Sequence, residues 1–237
     1  MNQLRYLEGE EDFPPTCEAL DDPNGLLAIG GDLSPSRLLQ AYRQGIFPWY
    51  NEYQPILWWS PEPRSVLLPD ELHISRSLRK TLRKNHFYLG ADTAFADVMN
   101  ACAELRPHQE GTWISADMTR AYGKLFHLGH AHSIEVRSGK GELVGGLYGV
   151  SIGGAFFGES MFSRTNDASK VALVALVWLA RQRGIGLIDC QIESEHLNSM
   201  GARNLSRLDF ENRLAQTVHL GTGPLNWHLP ATCGDLL

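Results

Sequence analysis

A carboxylate and an amide two residues apart, Asp189 and Gln191, stand in the run Leu187, Ile188, Asp189, Cys190, Gln191, Ile192. The run reads as a strand, which puts Asp189 and Gln191 on one face and Ile188, Cys190 and Ile192 on the other. Two readings fit: polar strand-end groups satisfied by neighbouring loops, or a pair that orients and activates a substrate. A second carboxylate, Glu159, sits among Gly158, Ser160, Met161 and Phe162. An unpaired charge there is costly. Either one of the chain's own arginines pairs with Glu159, or it receives a cationic group from a substrate.

Aromatic and basic residues supply the second kind of chemistry. Trp49, Trp58 and Trp59 lie beside prolines, and Trp113 follows in Gly111-Thr112-Trp113-Ile114. Such tryptophans staple loops to a core, and they also suit stacking on a nucleobase, worth roughly 1–3 kcal/mol per base. Between Glu71 and Asp92 the chain has no acid at all. Within that stretch Arg76, Arg79, Lys80 and Arg83 fall at helical spacings, with Leu78 and Leu82 as the anchoring face. The stripe reads as a phosphate-binding surface, with a solvated helix face as the plain alternative. His127, His130 and His132 straddle Gly129 and lack a cysteine or carboxylate in place, so no metal site is read in them.

These groups need elements to hold them. Residues 34–45 predict a short helix, with Ser34 as cap, Pro35 in the first turn and Gly45 as the stop. Prolines 48, 55, 61 and 63 argue against regular structure over most of 47–63, which reads as an ordered loop or domain junction ending near residue 63. Helices are predicted over 75–84, from Phe95 to Leu105, and over 115–128. The period then changes to two, giving strands over 133–137, 142–150 and 155–162. A buried helix over about 166–183, a strand over 187–192 and a helix over 207–216 complete the chain. Antiparallel strands, a helix and a further strand make an α+β fold whose order resembles the sheet core of the GNAT acyltransferases. RQRGIG (181–186) is spelled like a coenzyme A pyrophosphate loop. It follows a helix instead of opening one, so it reads as a helix stop.

The bulk numbers narrow the classes. The 237 residues are 43% hydrophobic and 20% charged, the profile of an ordinary globular protein. A net charge of −6 leaves any nucleic-acid partner to a local basic patch. No apolar run follows a basic start at the N-terminus, and the longest apolar run, 171–180, is too short to span a bilayer. Four scattered cysteines suggest isolated thiols in a reducing compartment. A cytoplasmic protein, with no membrane association, is expected.

Along residues 13–217 the chain resembles the leucyl/phenylalanyl-tRNA–protein transferases. The resemblance is carried by NGLLAIGGDLSPSRLLQAYRQGIFPW (24–49), ILWWSPEPR (56–64), LHISRSLRK (72–80) and GTWIS (111–115). It continues through LGHAHSIEV (128–136), ELVGGLYGV (142–150), FFGESMFSR (156–164), ASKVAL (168–173) and LIDCQ (187–191). It implies a small N-terminal α+β domain, 1–63, against a GNAT-like catalytic domain, 64–237, that has lost coenzyme A binding. It also implies the reaction: leucine or phenylalanine, and methionine as a further substrate, passes from aminoacyl-tRNA to proteins beginning with arginine or lysine, marking them for degradation. By resemblance Asp189 and Gln191 are the catalytic pair and Glu159 recognises the acceptor. Trp49 and Trp113 hold the adenosine end, and Leu147, Phe156, Leu173, Leu176 and Ile188 form the amino-acid pocket. A monomer is expected, with no metal and no cofactor, because the aminoacyl ester is already activated relative to the amide. A coenzyme A-dependent acyltransferase and a non-catalytic RNA-binding protein are the competing readings. The second leaves Asp189, Gln191 and Glu159 unexplained. A geometric tension remains: Phe156 and Ile188 should face away from Glu159 and Asp189, so pocket and catalytic pair meet only if the sheet splays or bulges.

Overall fold

The computed structural model describes residues 4–9, 11–104, 114–221 and 227–237. Eleven strands and seven α-helices are formed by these residues, in the order β1 (Arg5–Leu7), β2 (Leu26–Gly30), α1 (Pro35–Arg43), β3 (Phe47–Pro48), β4 (Leu57–Trp59) and β5 (Arg64–Leu67). Next come α2 (Arg76–Lys84), β6 (Tyr88–Ala91), α3 (Phe95–Glu104), α4 (Ala116–His127), β7 (Ala131–Arg137) and β8 (Leu143–Ile152). The order closes with β9 (Ala155–Ser163), α5 (Ala168–Arg183), β10 (Leu187–Gln191), α6 (Glu195–Asn198), β11 (Arg203–Leu205) and α7 (Arg207–Thr217).

Capping chemistry sets most helix starts. Ser34, Ser75, Ser115 and Ser206 each turn a side-chain oxygen onto the backbone N–H three residues ahead, satisfying a donor that the first turn leaves open. Gly184, with φ of +72°, stops α5 in the left-handed conformation that glycine adopts at little cost. The six expected helices form within a residue or two of their predicted ends.

Two sheets result. β1, β2, β4 and β3 make a four-stranded sheet, and β11, β5, β10, β9, β8, β7 and β6 a seven-stranded one. The smaller sheet corrects the expectation of an irregular 47–63 stretch: β3 and β4 pair antiparallel, Phe47 with Trp59 and Pro48 with Trp58. Pro48 is accommodated because β3 is an edge strand, where a missing N–H breaks no ladder. Trp58 is fully buried and its Nε1 donates to the Gly30 carbonyl at 2.9 Å, which makes it the staple.

In the larger sheet β7, β8 and β9 form an antiparallel meander, while β10 returns through α5 to pair parallel with β9. Apolar residues on one face pack with α1, α3 and α4, joined by Leu7 and Trp58 of the smaller sheet. The other face packs against α5, α2 and the C-terminal residues Trp227, Cys233 and Leu236. His132, one of the three histidines considered above, hydrogen-bonds Asp92 at 2.8 Å and stacks on Trp227.

Candidate active site

β9 and β10 pair only as far as Phe157 and Asp189, and beyond that rung they part. Two irregularities sit at the split. Against β8, Tyr148 faces Ser160 and Gly149 faces Gly158, so Glu159 is an extra, unpaired residue in β9. Against β5, Asp189 faces Val66 and Gln191 faces Ser65, so Cys190 is the extra residue of β10. An extra residue exchanges the faces of everything after it. Phe156 and Phe162 have the same parity, yet Phe156 packs with the α5 side and Phe162 with the opposite side. Gln191 has φ of +64°, in the left-handed region where a non-glycine residue is held only by its surroundings. The simple alternation expected for Asp189 and Gln191 is therefore corrected. The bulge at Cys190 and the left-handed turn at Gln191 break the shared face.

The split opens a cavity of about 240 Å³. Leu147, Phe156, Leu173, Leu176 and Ile188, from β8, β9, α5 and β10, come together on its wall, each 3% exposed or less. Glu159, Asp189 and Gln191 line the same cavity, so the bulges bring together groups that a flat sheet would hold apart. A second groove of about 180 Å³ adjoins it, lined by Phe47, Pro48, Trp49 and Ile192 and sharing Glu159, Cys190 and Gln191 with the first. Trp49 is 40% exposed and leans against Trp59, whose Nε1 donates to the Trp49 carbonyl at 2.6 Å. Trp113 lies outside the described residues.

Glu159 is 8% exposed. Among the described residues no cation pairs with it. Tyr42 of α1 donates to its Oε1 at 2.6 Å, Tyr122 of α4 to its Oε2 at 2.9 Å, and Gln191 Nε2 to Oε1 at 3.2 Å. The two tyrosine hydroxyls also touch each other. Burial raises the carboxyl from an ordinary value of 4.5 to about 7, in spite of the tyrosine hydrogen bonds that favour its ionised form. Burial and the Glu159 charge push both tyrosines well above their usual range, so each stays a donor.

Asp189 is fully buried and takes the arginine instead. Arg64 of β5 donates from Nε to Oδ1 at 2.8 Å and from Nη2 to Oδ2 at 2.7 Å. Its guanidinium lies between the rings of Phe47 and Phe210, 4.8 and 4.6 Å from their centroids. Asp189 Oδ1 also accepts the backbone N–H of Gln191 at 2.9 Å, which holds the left-handed turn. The carboxylate that pairs with an arginine is thus Asp189, and the one without a cation is Glu159. Tyr42, Tyr122 and Arg64 escaped the sequence reading, which named none of them as a site residue. The burial of Cys190 pushes its thiol up, away from the reactive thiolate.

On α2, Arg76, Arg79, Lys80 and Arg83 are all exposed while Leu78 and Leu82 are buried. None of the four is ion-paired with a described residue. Thr81, on the same helix, donates to Asp167 at 2.7 Å and so ties the basic helix to the start of α5.

Family comparison places the chain. Residues 66–215 match the leucyl/phenylalanyl-tRNA protein transferase family, and residues 31–62 match that family's N-terminal domain. The chain belongs to the leucyl/phenylalanyl-tRNA protein transferase family. A leucyl/phenylalanyl-tRNA–protein transferase of Nitrosomonas eutropha is 56% identical over 229 residues, covering 97% of each chain. One from Thiobacillus denitrificans is 60% identical over 215 residues, 91% of this chain and 94% of the relative. The solved structure of L-PGS from Bacillus licheniformis aligns with a TM-score of 0.42 at 11% identity, over 69% of this chain and 55% of that one, too loose a likeness to argue from. Both family-matched segments build the site: Tyr42 and Trp49 come from the first, Tyr122, Glu159, Asp189 and Gln191 from the second.

Proposed function

We propose that this transferase family member moves leucine or phenylalanine, and methionine as a further substrate, from aminoacyl-tRNA to the α-amine of proteins beginning with arginine or lysine, marking them for degradation. The observation that carries the reading is the wall shared by the two cavities. The apolar cavity fits the aminoacyl side chain, the groove under Trp49 fits the adenosine end, and Glu159 with Gln191 stands between them. Residues 1–63 then act as a small N-terminal domain against a GNAT-like domain of residues 64–237, whose parted strands receive an ester-bound acyl group. The protein works as a cytoplasmic monomer.

The ester is activated already, so the difficulty is the acceptor. A free α-amine has a pKa near 8 and is mostly protonated at neutral pH. Glu159, a buried carboxyl with no cation beside it among the described residues, receives the arginine or lysine side chain of the acceptor's first residue, so that the α-amine, once it has lost its proton to water, is presented to Gln191. Gln191 donates its amide N–H to Glu159, which leaves its carbonyl oxygen to hold the amine. The amine nitrogen attacks the ester carbonyl, the bond to the ribose oxygen breaks, and that oxygen leaves with a proton. Asp189 acts through Arg64 and the Gln191 backbone, as a positioning residue. Juxtaposing two bound substrates supplies most of the acceleration.

The test is transfer of labelled leucine from charged tRNA to a peptide beginning with arginine. Transfer that requires the charged tRNA and no coenzyme A is the expected result. Binding of charged tRNA without transfer would reduce the chain to an RNA-binding protein.

A further inference from the structure

The apolar cavity has a second boundary, away from Trp49. Where β9 runs into α5 there is an open polar groove of about 470 Å³, with Arg164, Asn166, Asp167 and Lys170 on its walls. Among the described residues, His196 alone lines both the cavity and this groove. It stands on the four-residue helix α6, whose start is fixed by Ser194 accepting from the Leu197 N–H at 3.2 Å. The side chain is half-buried, and its Nε2 is shut off from solvent with no hydrogen-bond partner among the described residues. A buried polar atom without a partner is costly and needs an explanation. The ring stands between the apolar cavity and the polar groove, and the fold holds it there in spite of that cost. Burial and the neighbouring Lys170 charge hold the imidazole below its usual value, so it is neutral at neutral pH.

We propose that His196 is a specificity-determining residue: it is the end wall of the amino-acid pocket and sets the longest side chain that aminoacyl-tRNA can present. The inference rests on the transfer reaction proposed above. A leucyl or phenylalanyl side chain entering from the Gln191 side stops against the imidazole edge. A longer one meets the imidazole before its ester carbonyl reaches the acceptor amine. The misfit therefore falls on reaction geometry, and so on turnover, while the phosphate contacts of the tRNA are left as they were. Without the imidazole the pocket runs through into the polar groove. Apolar pockets separate side chains differing by one methylene by roughly 10–200-fold, so loss of an end wall is visible on that scale.

The experiment measures transfer to one arginine-initiated peptide from tRNA charged with leucine, phenylalanine, tryptophan or 4-benzoylphenylalanine. The parent should use the last two poorly. His196→Ala should raise their kcat relative to that for leucine by about tenfold or more, with tRNA affinity unchanged. His196→Gln, which keeps a polar wall of similar reach, should retain the parent's profile. Parent discrimination is itself a test that needs no variant: a parent that transfers 4-benzoylphenylalanine as well as phenylalanine overturns the inference. So does a folded His196→Ala protein with the parent's profile. A parent that transfers none of the four overturns the underlying reaction and this inference with it, which separates the two failures.

Discussion

Glu159 is the residue on which the chemistry turns, and its environment is the part of the site least visible in the sequence. Its cost among apolar neighbours was legible, but not that Tyr42 and Tyr122 meet it from helices far away in the chain. A tyrosine at a buried helix position looks like any other large apolar residue, and periodicity carries no trace of its hydroxyl. Asp189 shows the opposite case, since the sequence marked the carboxylate and missed Arg64, which holds it. Any substitution that removes the Asp189 carboxylate strands a buried guanidinium, so lost activity there reports position as much as chemistry. Two outcomes are expected for Glu159→Gln. In competition between peptides differing only in their first residue, the preference for arginine and lysine over neutral residues should fall about tenfold or more, the scale of a charge-assisted hydrogen bond of roughly 1.5–3 kcal/mol. Binding of charged tRNA should hardly change. The second outcome is a pH dependence of stability. The folded carboxyl holds its proton up to about pH 7, whereas its ordinary value is 4.5. Folded protein therefore keeps a proton that the unfolded chain releases, and this contribution is fully present below pH 4.5 and lost as pH rises to 7. Against the glutamine variant, the parent should lose on the order of 2–3 kcal/mol across that window. A flat difference in denaturant melts would show that Glu159 is ionised throughout.

Elements were read well where a local rule fixes them. Serine caps and three- and four-residue spacings announced the helices, and alternation announced the meander of β7, β8 and β9. The short strands β1, β5, β6 and β11 were missed because three or four residues carry too little pattern to be told from loop. The bulges were missed for another reason: each is a relation between two strands, and one strand's sequence does not state its partner's register. Yet these bulges turn Glu159 and Gln191 into the cavity, and the glycines facing each other at 149 and 158 give the backbone room beside the first. The basic helix α2 belongs to this scale as well. Its four cations face solvent, unpaired among the described residues, so the log–log salt slope for tRNA binding should be roughly −3 to −4, at about 0.9 per phosphate contact. Arg79→Ala combined with Arg83→Ala should flatten that slope by nearly 2 and leave turnover at saturating tRNA intact. An unchanged slope would make the stripe a solvated helix face.

At the scale of the whole molecule, the two sheets meet across one core, and the site is built where they meet. α1 and β3 bring Tyr42 and Trp49 from the smaller sheet's side, while β9 and β10 bring Glu159 and Gln191 from the larger. The central claim is that the cavity and the groove hold both substrates at once, so that the amine attacks the tRNA ester directly. A half-buried thiol, Cys190, stands in the shared wall and offers a covalent route instead. Its thiolate is disfavoured by burial, which argues against that route. Initial rates of labelled leucine transfer, measured against charged tRNA at several fixed peptide concentrations, decide between the two. Double-reciprocal lines that intersect, with no label left on denatured protein, are the predicted result. Parallel lines, with leucine recovered on Cys190 when peptide is withheld, would contradict direct transfer.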